Sequence, residues 1–272
     1  MKRKLLRYFL ILIVSIYILI TIFPVFVVFV MGSWKNDDLM RTVPYWFGNY
    51  FIQNLKNVLA SNYLKSYANS IFVSAAAVCS SAFASTLLGY AISKYDFKGR
   101  KLLNRFVIAT MMLPQQITII GYVMEMRFLH MNNTLLPIIV CWIANPFAAF
   151  FMIQFMKESV PDEVLESARI DGAGEVRVLS KIVLPFIKPG LATVGILIFL
   201  WSWNNYMLPL VTISKDSLMT IPLFVNNLGS EYRDDIGARM CAISLAIIPI
   251  LVVFSIFSKS FIKGISAGAV KG

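Results

Sequence analysis

The sequence predicts an all-α membrane protein of six transmembrane helices with both termini cytoplasmic, and three observations carry that prediction. Hydrophobic residues make up 58% of the 272 and charged residues 14%, with a mean hydropathy of +0.72. Soluble domains average about 25% charged residues, so this chain has too little polar surface to cover its apolar residues in water. Six runs approach the roughly 20 mostly apolar residues that a bilayer crossing requires: about 8–31, 70–93, 105–127, 134–156, 187–211 and 238–260. Finally, Lys and Arg sort by side. The start of the chain, the segments between spans two and three and between spans four and five, and the end carry 17 of the 25. The other side holds eight, while Asp and Glu split evenly, as expected when only basic residues report cytoplasmic placement. The charge of +11 therefore reads as orientation rather than as affinity for nucleic acid.

The first run follows MKRKLLR and resembles a signal peptide at its start. Its length from Tyr8 to Met31 exceeds the about 7–15 residues of a signal core and no small-residue cleavage site follows, so it reads as a retained helix. The outer segment 32–69 carries Trp34, Tyr45, Trp46, Tyr50 and Tyr63, expected as anchors at headgroup level. Cys79, Cys141 and Cys241 each lie in an apolar run and read as small core residues rather than a disulfide framework.

Polar residues within spans mark a pathway or interhelical bonds, because an unpaired polar group in hydrocarbon costs several kcal/mol. Span three holds Gln115 and Gln116 after Pro114, span four Asn145 before Pro146, and span five Trp203, Asn204 and Asn205. Prolines beside amides free backbone groups, and broken helices line sites near the midplane. These six are the candidates for lining a polar pathway. Glu125 and Arg127 close span three and read as charges snorkelling to the interface. His130, the only histidine, reads as a surface-loop residue, and no metal site is expected. Segment 212–237 is long enough to project outward.

The segment 157–190, KESVPDEVLESARIDGAGEVRVLSKIVLPFIKPG, differs from the apolar remainder. Pro161 suits a first helical turn, Asp162 and Glu163 complement its dipole, and Gly172 stops it, which predicts a helix over about 161–170. A second helix is expected from near Gly174 until Pro185 redirects the chain. Small residues (Ser167, Ala168, Gly172, Ala173, Gly174) suit close packing against another protein, and six acidic residues disfavour an anionic headgroup surface.

Glu166-Ser167-Ala168, then Gly172, then Ile182-Val183-Leu184-Pro185 resembles the E-A-A-x3-G-x9-I-x-L-P signature of bacterial ABC-importer permeases, departing only at Ser167. The resemblance covers nearly the whole chain, treating 1–272 as a single permease domain. KYDFKGRKLL, MMLPQQITII, NNTLLPIIV, GLATVGILIFLWSWNNYMLPL and the final GISAGAVKG are similar to carbohydrate-uptake permeases of the maltose type, in particular the smaller second subunit. It implies that the loop over 157–188 is a coupling helix inserted into an ATPase, with Glu166, Ser167, Ala168, Asp171, Gly172, Ile182, Leu184 and Pro185 as coupling residues. It also implies a second permease, two ATPase subunits and an extracytoplasmic sugar-binding protein that meets segment 212–237, all at a bacterial cell membrane. No G-x-x-x-x-G-K-[ST] loop occurs, so ATP and Mg are expected on the partner, with no cofactor and no catalytic residue in this chain. A polyol or glycerol phosphate is the alternative cargo. An ion-driven transporter is a more distant reading, since no internal repeat is evident and the charges sit at span ends.

Overall fold

The computed structural model describes residues 2–228 and 235–269, and among them every regular element is helical. Arg233, Lys271, residues 229–234 of the outer segment and the last three residues of the tail lie outside that range, as does the side chain of Gln115. In chain order the helices are α1 (Lys2–Met31), α2 (Asn36–Leu39), α3 (Phe51–Ala60), α4 (Tyr63–Lys94), α5 (Arg100–Met111), α6 (Gln115–Phe128), α7 (Leu136–Val140) and α8 (Pro146–Ser159). Then come α9 (Asp162–Ile170), α10 (Glu175–Arg177), a π-helical stretch (Val178–Val183), α11 (Leu184–Trp203), α12 (Met207–Thr212), a 3-10 turn (Asp216–Leu218), α13 (Ile221–Asn227) and α14 (Ile236–Ala269).

Four stretches are long and apolar enough to cross a membrane unbroken: Leu6–Met31, Tyr63–Lys94, Glu175–Trp203 and Ile236–Ile262. Helix α1, at 30 residues and about 1.5 Å per residue, reaches about 45 Å, more than a hydrocarbon core needs. Over residues 6–26 its side chains are exposed all round, as expected where lipid rather than the chain itself surrounds a helix, while Val30 in its last turn is buried.

The third and fourth runs are broken at the prolines that the sequence places beside amides. Helices α5 and α6 meet at 108°, making at most one broken span. Pro114 is the cause: it has no N–H to continue the ladder, and it pushes Leu113 away from helical geometry. Likewise the run 134–156 is interrupted at Asn145-Pro146, leaving α8 with 14 residues, about 21 Å. The fifth run starts earlier than expected. Pro185 does not redirect the chain; the π-helical turn before it widens the ladder and lets the helix run on to Trp203.

The chain divides into two compact units. The first comprises Met1–Leu64 with Leu223–Ile248. Its centre is Asn54, whose Nδ2 donates to the carbonyls of Gly32 (3.0 Å) and Trp34 (2.9 Å). Gly32 lets α14 approach so closely that a Cβ there would stand 3.0 Å from the backbone nitrogen of Cys241. Tyr63 is not an interfacial anchor: it is buried, donates its hydroxyl to the Ala242 carbonyl at 3.1 Å and meets the Phe224 ring edge-on. Trp46 and Tyr45 are exposed, as an anchoring role requires.

The second unit is Lys65–Pro222 with Pro249–Gly272. Its core is built by α4, α8 and α11 around Ala77, Met152, Phe155, Ile187 and Val194. Gly89 and Gly190 permit this closeness, since a Cβ at Gly190 would sit 2.7 Å from the Phe155 ring. A smaller cluster joins Val107 of α5 to Ala149 and Ile153 of α8. Segment 212–222 does not project freely. Asn133 Oδ1 accepts from the amides of Ser214 and Lys215, Asn69 Nδ2 donates to the carbonyls of Ser217 and Met219, and Ser70 Oγ accepts from Ile221. The cysteines are free, with Cys241 buried, Cys141 half-buried and Cys79 exposed, so Cys79 is not a core residue of this chain.

Candidate functional site

Helix α9 forms where its end signals predict it. Asp162 and Glu163 occupy its first turn, facing the unpaired amides, and Arg169 lies in its last. At its end Gly172 takes φ +79°. The Gly172 amide donates to the Arg169 carbonyl and the Ala173 amide to the Ala168 carbonyl, both at 3.0 Å. That pair of bonds is the Schellman termination, which needs a left-handed residue at this position. The residues 161–174 therefore form a helix followed by a sharp return, and α10 opens at Glu175 after Gly174.

Spacing along α9 divides its side chains between two faces. Leu165 and Ala168, three apart, are buried in the core cluster with Val160, Val178, Val183 and Ile187, and Ala173, Ile182 and Leu184 pack against its edge. Burying one Leu or Val side chain stabilises by about 1.5–3 kcal/mol, so this face anchors the segment to the ends of α4 and α8. Glu166, Ser167, Asp171 and Gly172 remain exposed, as does Pro185. Ile170 and Val176 are 86% and 84% exposed. Two apolar side chains held out beside a glycine turn, next to carboxylates, make an edge suited to insertion into another protein's cleft. The eight coupling candidates thus separate into inward anchors (Ala168, Ile182, Leu184) and outward groups (Glu166, Ser167, Asp171, Gly172, Pro185).

A polar clamp that sequence reasoning missed fixes this edge. Lys94, at the end of α4, has a side chain only 3% exposed; its Nζ donates to the Val160 carbonyl (2.5 Å) and to Asp162 Oδ1 (2.7 Å). On the other side of α9, Glu175 accepts from the Tyr90 hydroxyl (2.9 Å), from the Tyr95 hydroxyl and from Arg169 Nε (2.9 Å). The Arg169 guanidinium lies 5.3 Å from the centre of the Tyr95 ring. Its pKa is raised, first by the hydrogen bond to Glu175, and that of Glu175 is lowered, first by the hydrogen bond from Tyr95, so the two charges support each other. Arg100 closes the end of α4 by donating Nε to the Ile92 carbonyl (2.7 Å). The only sequence signal was that Lys94, Tyr95 and Arg100 belong to the KYDFKGRKLL stretch; nothing in it names their partners.

The substrate-pathway candidates lie at three helix breaks. Gln115 begins α6 and the Gln116 side chain is exposed beside it. Asn145 is buried and its Oδ1 accepts from the Ala148 amide (2.9 Å), so that oxygen caps α8. Asn205 Oδ1 likewise accepts from Leu208 at the start of α12, and Asn204 Nδ2 donates to the Leu200 carbonyl. Trp203 is buried, stacked on Phe199 and edge-on to Tyr67. Glu125, Arg127 and His130 are exposed, His130 with a left-handed backbone. Among the described residues no group of His, Cys, Asp and Glu is arranged to hold a metal.

Comparison with known proteins gives the family and the fold. A family described as "Binding-protein-dependent transport system inner membrane component" matches residues 83–267. The chain is 33% identical over 266 residues to the multiple sugar-binding transport system permease protein MsmG of Streptococcus mutans, covering 94% of this chain and 96% of the relative. It is 30% identical over 264 residues to the arabinooligosaccharides transport system permease protein AraQ of Bacillus subtilis, covering 93% and 92%. The fold is similar to a chain from a bacterial ABC transporter involved in import of the acidic polysaccharide alginate. The TM-score is 0.84 at 21% identity, with 95% and 97% of the two chains covered.

Proposed function

Because the chain belongs to the family of inner-membrane components of binding-protein-dependent transport systems, we propose that α9 and its glycine turn are the coupling helix through which it receives work from a separate ATPase. The chain is a sugar ABC-importer permease of the inner membrane, not an enzyme; its relatives are named for arabinooligosaccharides and multiple sugars. Its partners are a second permease, ATPase subunits and an extracytoplasmic sugar-binding protein. ATP and Mg are assigned to the ATPase. The observation that carries the coupling assignment is the division of α9: an inward face in the core, an outward edge of Glu166, Ile170, Gly172 and Val176, and buried Lys94 holding the two in register.

Six crossings with both termini cytoplasmic are the topology we infer. Four helices are long enough alone and α5 with α6 can supply a broken fifth; the sixth in this reading is the apolar run 134–156, divided between α7 and α8. The excess of Lys and Arg beside α9, at the α4–α5 turn and at both chain ends supports the cytoplasmic side for all of them. ATP binding would draw the ATPase subunits together, move α9 as a rigid body with α8 and α11, and rock the permease between its two openings. In this reading the amides beside the breaks at Pro114, Asn145 and Asn204–Asn205 are the candidates to meet a passing sugar.

The cargo class is tested with the whole importer in proteoliposomes, measuring ATP hydrolysis and uptake with the binding protein and a panel of oligosaccharides, polyols and glycerol phosphate. Stimulation by an oligosaccharide supports the reading. Stimulation by glycerol phosphate or a polyol alone would transfer the cargo to that alternative. Uptake that follows an ion gradient without ATP would contradict the importer itself.

A further inference from the structure

A cleft of about 700 Å³ opens at the turn between α4 and α5, and no residue of α9 lines it. It is lined by Arg100, Lys101, Asn104 and Arg105 of α5 and Lys157 of α8, with Asp96 the one carboxylate among the described residues that line it. Antiparallel packing brings these together: Val107 meets Ala149 and Ile153, so one turn further on Lys157 arrives beside the start of α5. Lys101 and Arg105, four apart, share one face of α5. Asp96 is 3.9 Å from Arg100, which is already committed to the α4 carbonyls. Lys101, Arg105 and Lys157 have no carboxylate within ion-pair distance among the described residues, so like charges converge on the cleft without an anion of this chain.

One further feature narrows the ligand. Beside the basic residues the cleft is lined by Phe97 and Leu102, which are 39% and 72% exposed, and the next turn of α5 adds Phe106 at 63%. A phosphodiester bearing acyl chains satisfies both: phosphate for the cations, chains along the apolar wall.

We propose that this cleft binds the head of an anionic glycerophospholipid, phosphatidylglycerol or cardiolipin, as a specific site rather than as general membrane solvent. Its assignment to the cytoplasmic leaflet rests on the topology inferred above; binding itself does not. Each basic residue near an anionic surface contributes about fivefold in affinity, so removing Lys101 and Arg105 together removes about 25-fold.

The importer is purified in mild detergent and the lipid retained on this subunit is measured by native mass spectrometry, with phosphatidylglycerol, cardiolipin and phosphatidylcholine added at equal amounts. The expected result is retention of the two anionic lipids over phosphatidylcholine. It should fall about 25-fold in the Lys101→Ala, Arg105→Ala double variant and about fivefold in Lys157→Gln, and persist in Lys101→Arg. Lys157→Gln alters one exposed side chain and keeps the test valid if the double variant does not assemble. Equal retention of phosphatidylcholine, or undiminished retention in Lys157→Gln, overturns the proposal. Displacement of the lipid by millimolar inorganic phosphate assigns the cleft to a free anion and overturns it too. Lipid retention is read without transport, so a failed importer assignment would show instead as a subunit that purifies without an ATPase.

Discussion

Gly172→Val should abolish uptake, at least tenfold and to near background, in a permease that still reaches the membrane. At φ +79° a β-branched residue is strained whatever the space around it, and nothing lies within 4 Å of where its Cβ would be. The cost of about 1–3 kcal/mol is therefore backbone strain, and the chain can relieve it by unwinding the Schellman turn. That would move Ala173 and Gly174 and turn the edge carrying Ile170 away from its partner. Gly172→Asn is the matched control, because asparagine tolerates the left-handed region; it should retain most of the uptake. Glu166→Ala should behave differently in origin and alike in outcome. Glu166 is exposed, so its loss should leave stability within about 0.5 kcal/mol of the parent while uptake fails for want of the contact with the ATPase. Normal uptake in both Gly172→Val and Glu166→Ala would remove α9 from the coupling mechanism.

The second large effect belongs to Lys94. Its Nζ is buried and holds both the Val160 carbonyl and Asp162. In Lys94→Met the Val160 carbonyl loses its side-chain donor next to a residue 1% exposed, and an unsatisfied buried acceptor costs about 1–3 kcal/mol. Asp162 is 73% exposed, so Asp162→Asn gives up only a water-screened half of the interaction and keeps the carbonyl bond. Lys94→Met should raise protease cleavage within 157–175 and cut uptake about tenfold or more, with Asp162→Asn close to the parent in both. Equal effects of the two would mean that the ion pair, not the carbonyl bond, holds α9 in place.

The elements legible in the sequence were those set by neighbours in the chain. Pro161, Asp162, Glu163 and Gly172 act within one or two turns, so α9 and its termination could be read directly. The prolines also marked where the third and fourth runs break, but not by how much: mean hydropathy is insensitive to the backbone donor that Pro114 and Pro146 lack, so the 108° bend between α5 and α6 could not be read from it. Pro185 misled in the opposite direction, because a π turn ahead of it absorbed the ring. Tyr63 looked like an interfacial aromatic only because its partner carbonyl, Ala242, lies 179 residues away. The clamp was hidden for the same reason, with Tyr90 and Glu175 85 residues apart. The amides at Asn145, Asn204 and Asn205 were visible as polar residues in apolar runs, but not their occupation with helix ends and carbonyls.

The exposure of Ile170 sets the most direct test of coupling through α9. Ile170→Cys and, as a buried comparison, Leu165→Cys are introduced singly into the assembled importer in native membranes, and a short bifunctional thiol–amine reagent is added with and without ATP. Ile170→Cys should cross-link to the ATPase subunit with a yield that changes on adding ATP, and Leu165→Cys should not. An intact importer in which Ile170→Cys gives no ATPase adduct, or no more than Lys215→Cys in the segment after α12, would contradict the assignment of α9 as the coupling helix.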